Sequence, residues 1–185
     1  MNTSAQSLVT SIDTLTDTFI EQTKLATGKL PVVEQDADWP SPCEVGDVDD
    51  AGFIQWQPCK ISEELGFENV EDAIGYGLHE DIKQFFCHCY AEPISASCSE
   101  GGLELLFAWS KADFDRLQQN IIGHLLMKKR LKQEPTIFFA ITDEDDINLV
   151  IKNDTGEVWV EPIGCEPKTL IANNLAEFLG TLTTN

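Results

Sequence analysis

The sequence predicts an α+β fold: a single domain over residues 1–185, with a central, mostly antiparallel sheet flanked by helices. Three observations carry this. Apolar residues recur at helical spacing in four separate segments, within 8–19, 78–89, 114–125 and 175–182. Three strand-like runs, 136–142, 147–152 and 157–160, follow one another with too few residues between them for a crossover helix. With 42 % hydrophobic residues over 185 positions, the chain has enough apolar mass for one sizeable core, burying about 70 % of its unfolded surface.

The elements follow in order. Leu8, Ile12, Leu15 and Phe19 share one stripe of a helix over about 5–27, which ends near Gly28 with Pro31 beyond. Residues 30–52 read as an acidic loop, punctuated by Pro31, Pro40, Pro42, Gly46 and Gly52. Phe53–Gln57 alternates and is closed by Pro58, so it is a strand. A helix from about Gly77 to Tyr90 places Leu78, Ile82, Phe85, Phe86 and Cys89 inward. Leu103–Trp109 is a strand. Ser110 then caps a helix, with Asp113 three residues on in a capping-box position.

Phe114, Leu117, Ile121 and Leu125 line that helix, and Lys128, Lys129, Arg130 and Lys132 complement the dipole at its C-terminal end. Pro135 stops it. Asn153-Asp154-Thr155-Gly156 joins the second and third late strands as a hairpin turn. Asn174 and Glu177 cap a last helix carrying Leu175, Phe178, Leu179 and Leu182.

Charge excludes several functions. The 32 acids against 12 bases give a formal net charge of −20. A nucleic-acid binder needs Lys and Arg to displace counterions from phosphates. The same net field opposes adhesion to anionic lipid by charge. The 16 aromatics (4 Trp, 2 Tyr, 10 Phe) exclude a disordered chain. The charge is also uneven. Between Leu30 and Ile82 there are 14 acids and one base, a net of −13. From Lys111 to Lys132 six bases face two acids, +4, and from Glu134 to Glu166 nine acids face one base, −8. No uncharged stretch approaches the roughly 20 apolar residues of a membrane span. The N-terminus has no base before Lys24, unlike a secretory signal, and six Cys dispersed over the chain fit a reduced, cytoplasmic protein.

Candidates for chemistry are weak. His79 with Cys87-His88-Cys89 and Cys98 has metal-ligating residue types, but Cys87 and Cys89 have a single residue between them and point about 200° apart on a helix. The plainer expectation is a core Cys89 and an exposed His88. Pairing Cys43 or Cys98 with His124 as nucleophile and base has no motif behind it. Asp143-Glu144-Asp145-Asp146 lacks the alternation of a calcium loop and reads as a solvated connector, and Gly75-x-Gly77 follows no strand. The expectation is therefore no enzyme, no metal and no cofactor. The basic run Lys128–Lys132 reads either as a partner site or as helix capping with neutralisation of acidic neighbours.

Four stretches together resemble a known family. Ser41-Pro42-Cys43 precedes Trp56-Gln57-Pro58, and the block Asn120-Ile121-Ile122-Gly123-His124-Leu125-Leu126-Met127-Lys128-Lys129-Arg130-Leu131-Lys132 is followed by Pro135-Thr136. Asn174-Leu175-Ala176-Glu177-Phe178-Leu179 closes the set. Their order and spacing are similar to the Syd family of bacterial SecY-interacting proteins, from about residue 8 to residue 182. The resemblance implies a SUKH-like α+β domain, cytoplasmic and peripherally associated with the inner membrane. It implies a non-catalytic protein whose acidic concave face meets basic cytoplasmic loops of SecY, the export-channel subunit. The physics agrees: such loops are enriched in Lys and Arg, and an acidic protein is drawn to them while anionic lipid repels it. The expected partner-binding residues are Glu34, Asp36, Asp38, Glu44 and Asp47, with Glu63 and Glu64 from the later acidic stretch. No motif singles out individual acids. Nucleic acid and direct lipid insertion are excluded as partners. The alternative is a SUKH-type immunity protein that neutralises a basic toxin nuclease.

Overall fold

The computed structural model describes residues 3–184. Its elements run α1 (Thr3–Thr27), β1 (Val32–Glu34), β2 (Glu44–Val45), β3 (Phe53–Trp56), β4 (Cys59–Lys60), α2 (Glu68–Ile74), α3 (Glu80–His88), β5 (Cys89–Tyr90), β6 (Ile94–Cys98), β7 (Gly101–Leu105), α4 (Lys111–Leu131), β8 (Thr136–Thr142), β9 (Ile147–Lys152), β10 (Val158–Pro162), β11 (Thr169–Ala172), α5 (Leu175–Leu179) and β12 (Thr183–Thr184). The main sheet has the order β11-β10-β9-β8-β7-β6-β12, and every pairing in it is antiparallel. The short spacers between β8, β9 and β10 required this. Asn153–Gly156 is the expected turn, with Gly156 at φ +77°, a conformation that favours glycine.

Successive strand residues face opposite sides of a sheet. In β8, Phe138 packs edge-on against His124 of α4, while Phe139 turns to Phe85 of α3 and Phe178 of α5. Phe107 stacks on Phe85 at 4.8 Å and extends this aromatic core. Each fully buried Phe is worth about 1.5–3 kcal/mol. The α1 stripe Leu8, Ile12 and Leu15 is buried, and Phe19 stacks on Trp56 at 5.8 Å. Ser110 caps α4 as expected. Its Oγ accepts the Asp113 N–H at 3.3 Å, and Asp113 Oδ2 accepts the Trp109 N–H at 3.0 Å.

Several expectations need correction. The acidic loop is not all loop: β1 and β2 flank β3 in a separate three-stranded sheet of order β1-β3-β2. Strands of two or three residues are too short for alternation to register. The helix expected over 77–90 is Glu80–His88, because His79 is its N-cap and Cys89–Tyr90 is already extended and paired with β4. The strand placed at 103–109 is Gly101–Leu105. Helix α2 and strands β6, β11 and β12 have seven, five, four and two residues, too few for a period to stand out in sequence. His88 is not exposed; its Nε2 lies 2.6 Å from Asp13 Oδ1, which also takes Lys60 Nζ.

Candidate partner-binding surface

The small sheet positions the acidic run. Antiparallel partners directly opposite each other share a face. Glu34 lies opposite Phe53, and Val32 and Val45 lie opposite Gln55, so these five residues share one side. Ile54 and Trp56 fill the other side and are buried. The outer side is therefore the solvent face, and Glu34 is exposed on it. Asp36, Asp38 and Asp47 are exposed in the flanking loops. Asp36 Oδ1 accepts the Asp38 N–H at 2.9 Å, a local turn that fixes this loop. Asp49 does the same beyond β2, accepting from Ala51 and Phe53 N–H. Glu44 lies opposite Trp56, is half-buried and shares the inward side, so it stands apart from Glu34.

Asp38 and Glu63 converge on a second feature, a cleft of about 360 Å³ walled by Trp39, Pro40, Pro42, Tyr90 and Ala112. Tyr90 donates its hydroxyl to Glu63 Oε1 at 2.6 Å, which holds the Glu63 carboxyl below its ordinary value. Burial, and then Glu63, push the Tyr90 phenol up. The Trp39–Cys43 segment is tied to the start of α4: Ser41 Oγ donates to the Trp109 carbonyl and accepts the Cys43 N–H at 3.0 Å. Arg116 lies over the Trp39 ring, 4.9 Å from its centroid. Lys111, at the cleft, pairs with Asp115. Glu64 is exposed nearby in sequence but does not line the cleft. Thus the seven expected acids do not form one cluster.

The basic segment is divided by the fold. Lys111 and Arg116 lie at the cleft, whereas Lys129, Arg130 and Lys132 are exposed at the far end of the 21-residue α4, about 20–30 Å along the helix. Lys128, at the same end, neutralises an acidic neighbour, as one of the two readings of the basic run expected, but does so from within the core. Its side chain is 1 % exposed and donates to Glu161 Oε2 at 2.8 Å and to the Cys165 carbonyl at 2.9 Å. Thr136 Oγ1 donates to the same carboxylate oxygen at 2.7 Å, and His124 Nε2 lies 3.8 Å from Glu161 Oε1. Burial lowers the His124 pKa, Glu161 opposes this and Lys128 adds to it. From the block 120–132, Ile121, Leu125 and Lys128 are buried with Thr136, whereas Leu126, Lys129, Arg130, Leu131 and Lys132 are exposed.

The other chemical candidates are dispersed. His79 caps α3, Cys87 faces a groove with Glu68, Glu80 and Lys83, and Cys98 ends β6. No three His, Cys, Asp or Glu among the described residues are grouped to hold a metal ion. His124 contacts Phe138, Thr136 and Glu161, and neither Cys43 nor Cys98 is among those contacts. Burial raises the Cys43 thiol to about 11, away from a nucleophile's range. Among the described residues no helix is long and apolar enough to cross a membrane. Sequence reasoning missed Val32 and Phe53 on the solvent face and Trp39 at the cleft. The alternation of Phe53–Gln57 held the signal for one of them, since it puts Phe53 on the side opposite Ile54 and Trp56.

Comparison with known proteins adds identity to this geometry. A family model described as Syd protein (SUKH-2) matches residues 9–184. The chain is 43 % identical over 192 residues to Protein Syd of Colwellia psychrerythraea, covering 99 % of this chain and 96 % of the relative. It is 41 % identical over 179 residues to Protein Syd of Alteromonas mediterranea, covering 97 % of each. It is 37 % identical over 176 residues to Protein Syd of Pseudoalteromonas translucida, covering 95 % of this chain and 98 % of the relative.

Proposed function

The chain belongs to the Syd (SUKH-2) family, and from that premise we propose that it is a non-catalytic protein that binds the SecY subunit of the export channel at the cytoplasmic face of the inner membrane. Basic cytoplasmic loops of SecY meet an acidic face built from Glu34, Asp36, Asp38 and Asp47, with Glu63 and Glu64 at its margin. The observation that carries this is the run from Leu30 to Trp56, which holds seven acids and no base. That run is ordered by the small sheet and its Asx turns, so its charge is held in place rather than spread over a mobile tail.

Steering explains how such a face finds its partner. Cytoplasmic loops carry excess Lys and Arg, and opposite fields raise the encounter rate while anionic lipid is repelled. The protein associates with the membrane through the channel rather than through lipid.

Site-specific photo-cross-linking from position 36 in native membranes tests the reading. An adduct to a cytoplasmic SecY loop is the expected result. Absence of any SecY adduct from 36, 34 and 47 would remove the acidic face as the contact. The immunity reading fits the same charge and is favoured only if the protein rescues cells from a nuclease.

A further inference from the structure

A half-buried antiparallel strand puts apolar side chains inward and polar ones outward. The small sheet obeys this only on its inner side, where Ile54 and Trp56 are buried. Its solvent face holds Val32, Glu34, Val45, Phe53 and Gln55, and three of these five are apolar. Phe53 is 40 % exposed and Val32 41 %, and Val48, in the turn between β2 and β3, is 45 % exposed. Water thus meets apolar surface in the most acidic part of the chain. Isolated exposed apolar residues need no explanation, but neighbouring ones ringed by charge mark an interaction surface.

We propose that this face takes a segment of the SecY partner that is apolar as well as basic. Lys or Arg of that segment meets Glu34, Asp36 and Asp47, while its aliphatic or aromatic side chains cover Val32 and Phe53. This rests on the function proposed above and adds a selection rule to it. Charge complementarity names the occupant. A second copy would bring seven acids against seven acids, and an anionic lipid surface is repelled by the same residues. Charge alone would accept any basic loop and fade with salt, whereas apolar contact persists in salt and ranks basic segments by their apolar content.

The test uses two fluorescent synthetic peptides, one alternating Lys with Leu and one alternating Lys with Gly, with binding read by anisotropy at about 50 mM and about 500 mM salt. Both peptides are expected to bind at low salt. At high salt the Lys/Leu peptide is expected to bind at least about tenfold more tightly. The Val32→Thr/Phe53→Ser variant is expected to lose that advantage and keep its low-salt affinity for the Lys/Gly peptide. Val48→Ser repeats the test without altering a strand residue, and is expected to lower the advantage in the same direction. Equal affinity of the two peptides, or an advantage that survives these substitutions, would overturn the proposal. Membranes containing SecY separate this from the broader reading. If E34Q/D36N/D47N abolishes binding and V32T/F53S leaves it unchanged, only the apolar inference falls. If neither variant changes binding, the acidic-face reading falls with it.

Discussion

Lys128 and Glu161 form an ion pair of 2.8 Å between side chains that are each 1 % exposed. One partner comes from the C-terminal turn of α4 and the other from β10, so the pair pins the helix to the main sheet. Thr136 Oγ1 and the Cys165 carbonyl satisfy further hydrogen-bonding positions around it. This is the arrangement a buried pair needs if desolvation is not to exceed the attraction.

Removing one partner leaves the other charge buried alone. Lys128→Met and Glu161→Gln are each expected to cost about 3–5 kcal/mol of stability in urea unfolding. K128M/E161L is expected to cost much less than the sum of the single changes. Strict additivity would contradict the pair.

Stability is expected to fall on mild acidification because of His124. Burial, first, and Lys128 hold its folded pKa below the ordinary 6.5, although Glu161 opposes the shift. Above that value His124 is neutral in both states and contributes nothing. As pH falls through it, the unfolded chain takes the proton first, so stability drops. Urea midpoints measured from about pH 7.5 to about pH 5 check this. His124→Gln is expected to flatten the decline, and an unchanged slope would contradict the assignment.

Ser41 is expected to set the position of Trp39. Its hydroxyl joins the Trp109 carbonyl to the Cys43 N–H. Ser41→Ala leaves both without that partner and is expected to cost about 1–2 kcal/mol. Urea unfolding, with Trp fluorescence as the readout, measures it. A loss below about 0.5 kcal/mol would show that the segment is held by packing alone.

Periodicity and capping made most of the frame legible. The α1 stripe, the Ser110 cap, the turn at Asn153–Gly156 and antiparallel β8–β10 all follow from local chemistry. The small sheet was not legible, because β1 and β2 have three and two residues and are specified by pairing with β3, not by their own pattern. Lys128 was legible as a cation with an acidic neighbour, but its burial was not, for a related reason. A cation at a helix end is ordinarily solvated, and only the distant Glu161 makes its burial tolerable. The acidic stretch was plain in composition, but which acids share a face depended on register. Register separated Glu44 from Glu34, while Glu63, in the loop after β4, is held at the cleft by the Tyr90 hydroxyl.

Recognition of the channel by an ordered acidic face is open to direct measurement. Affinity for SecY-containing vesicles of zwitterionic lipid is read across a salt series, for the natural sequence and for E34Q/D36N/D38N/D47N. All four positions are exposed, so the fold is expected to be unchanged. The natural sequence is expected to lose about tenfold or more in affinity between about 50 mM and about 300 mM salt. The variant is expected to bind weakly at low salt and to show a much shallower salt dependence. Binding by the natural sequence that is indifferent to salt, or equal binding by the variant, would contradict the account.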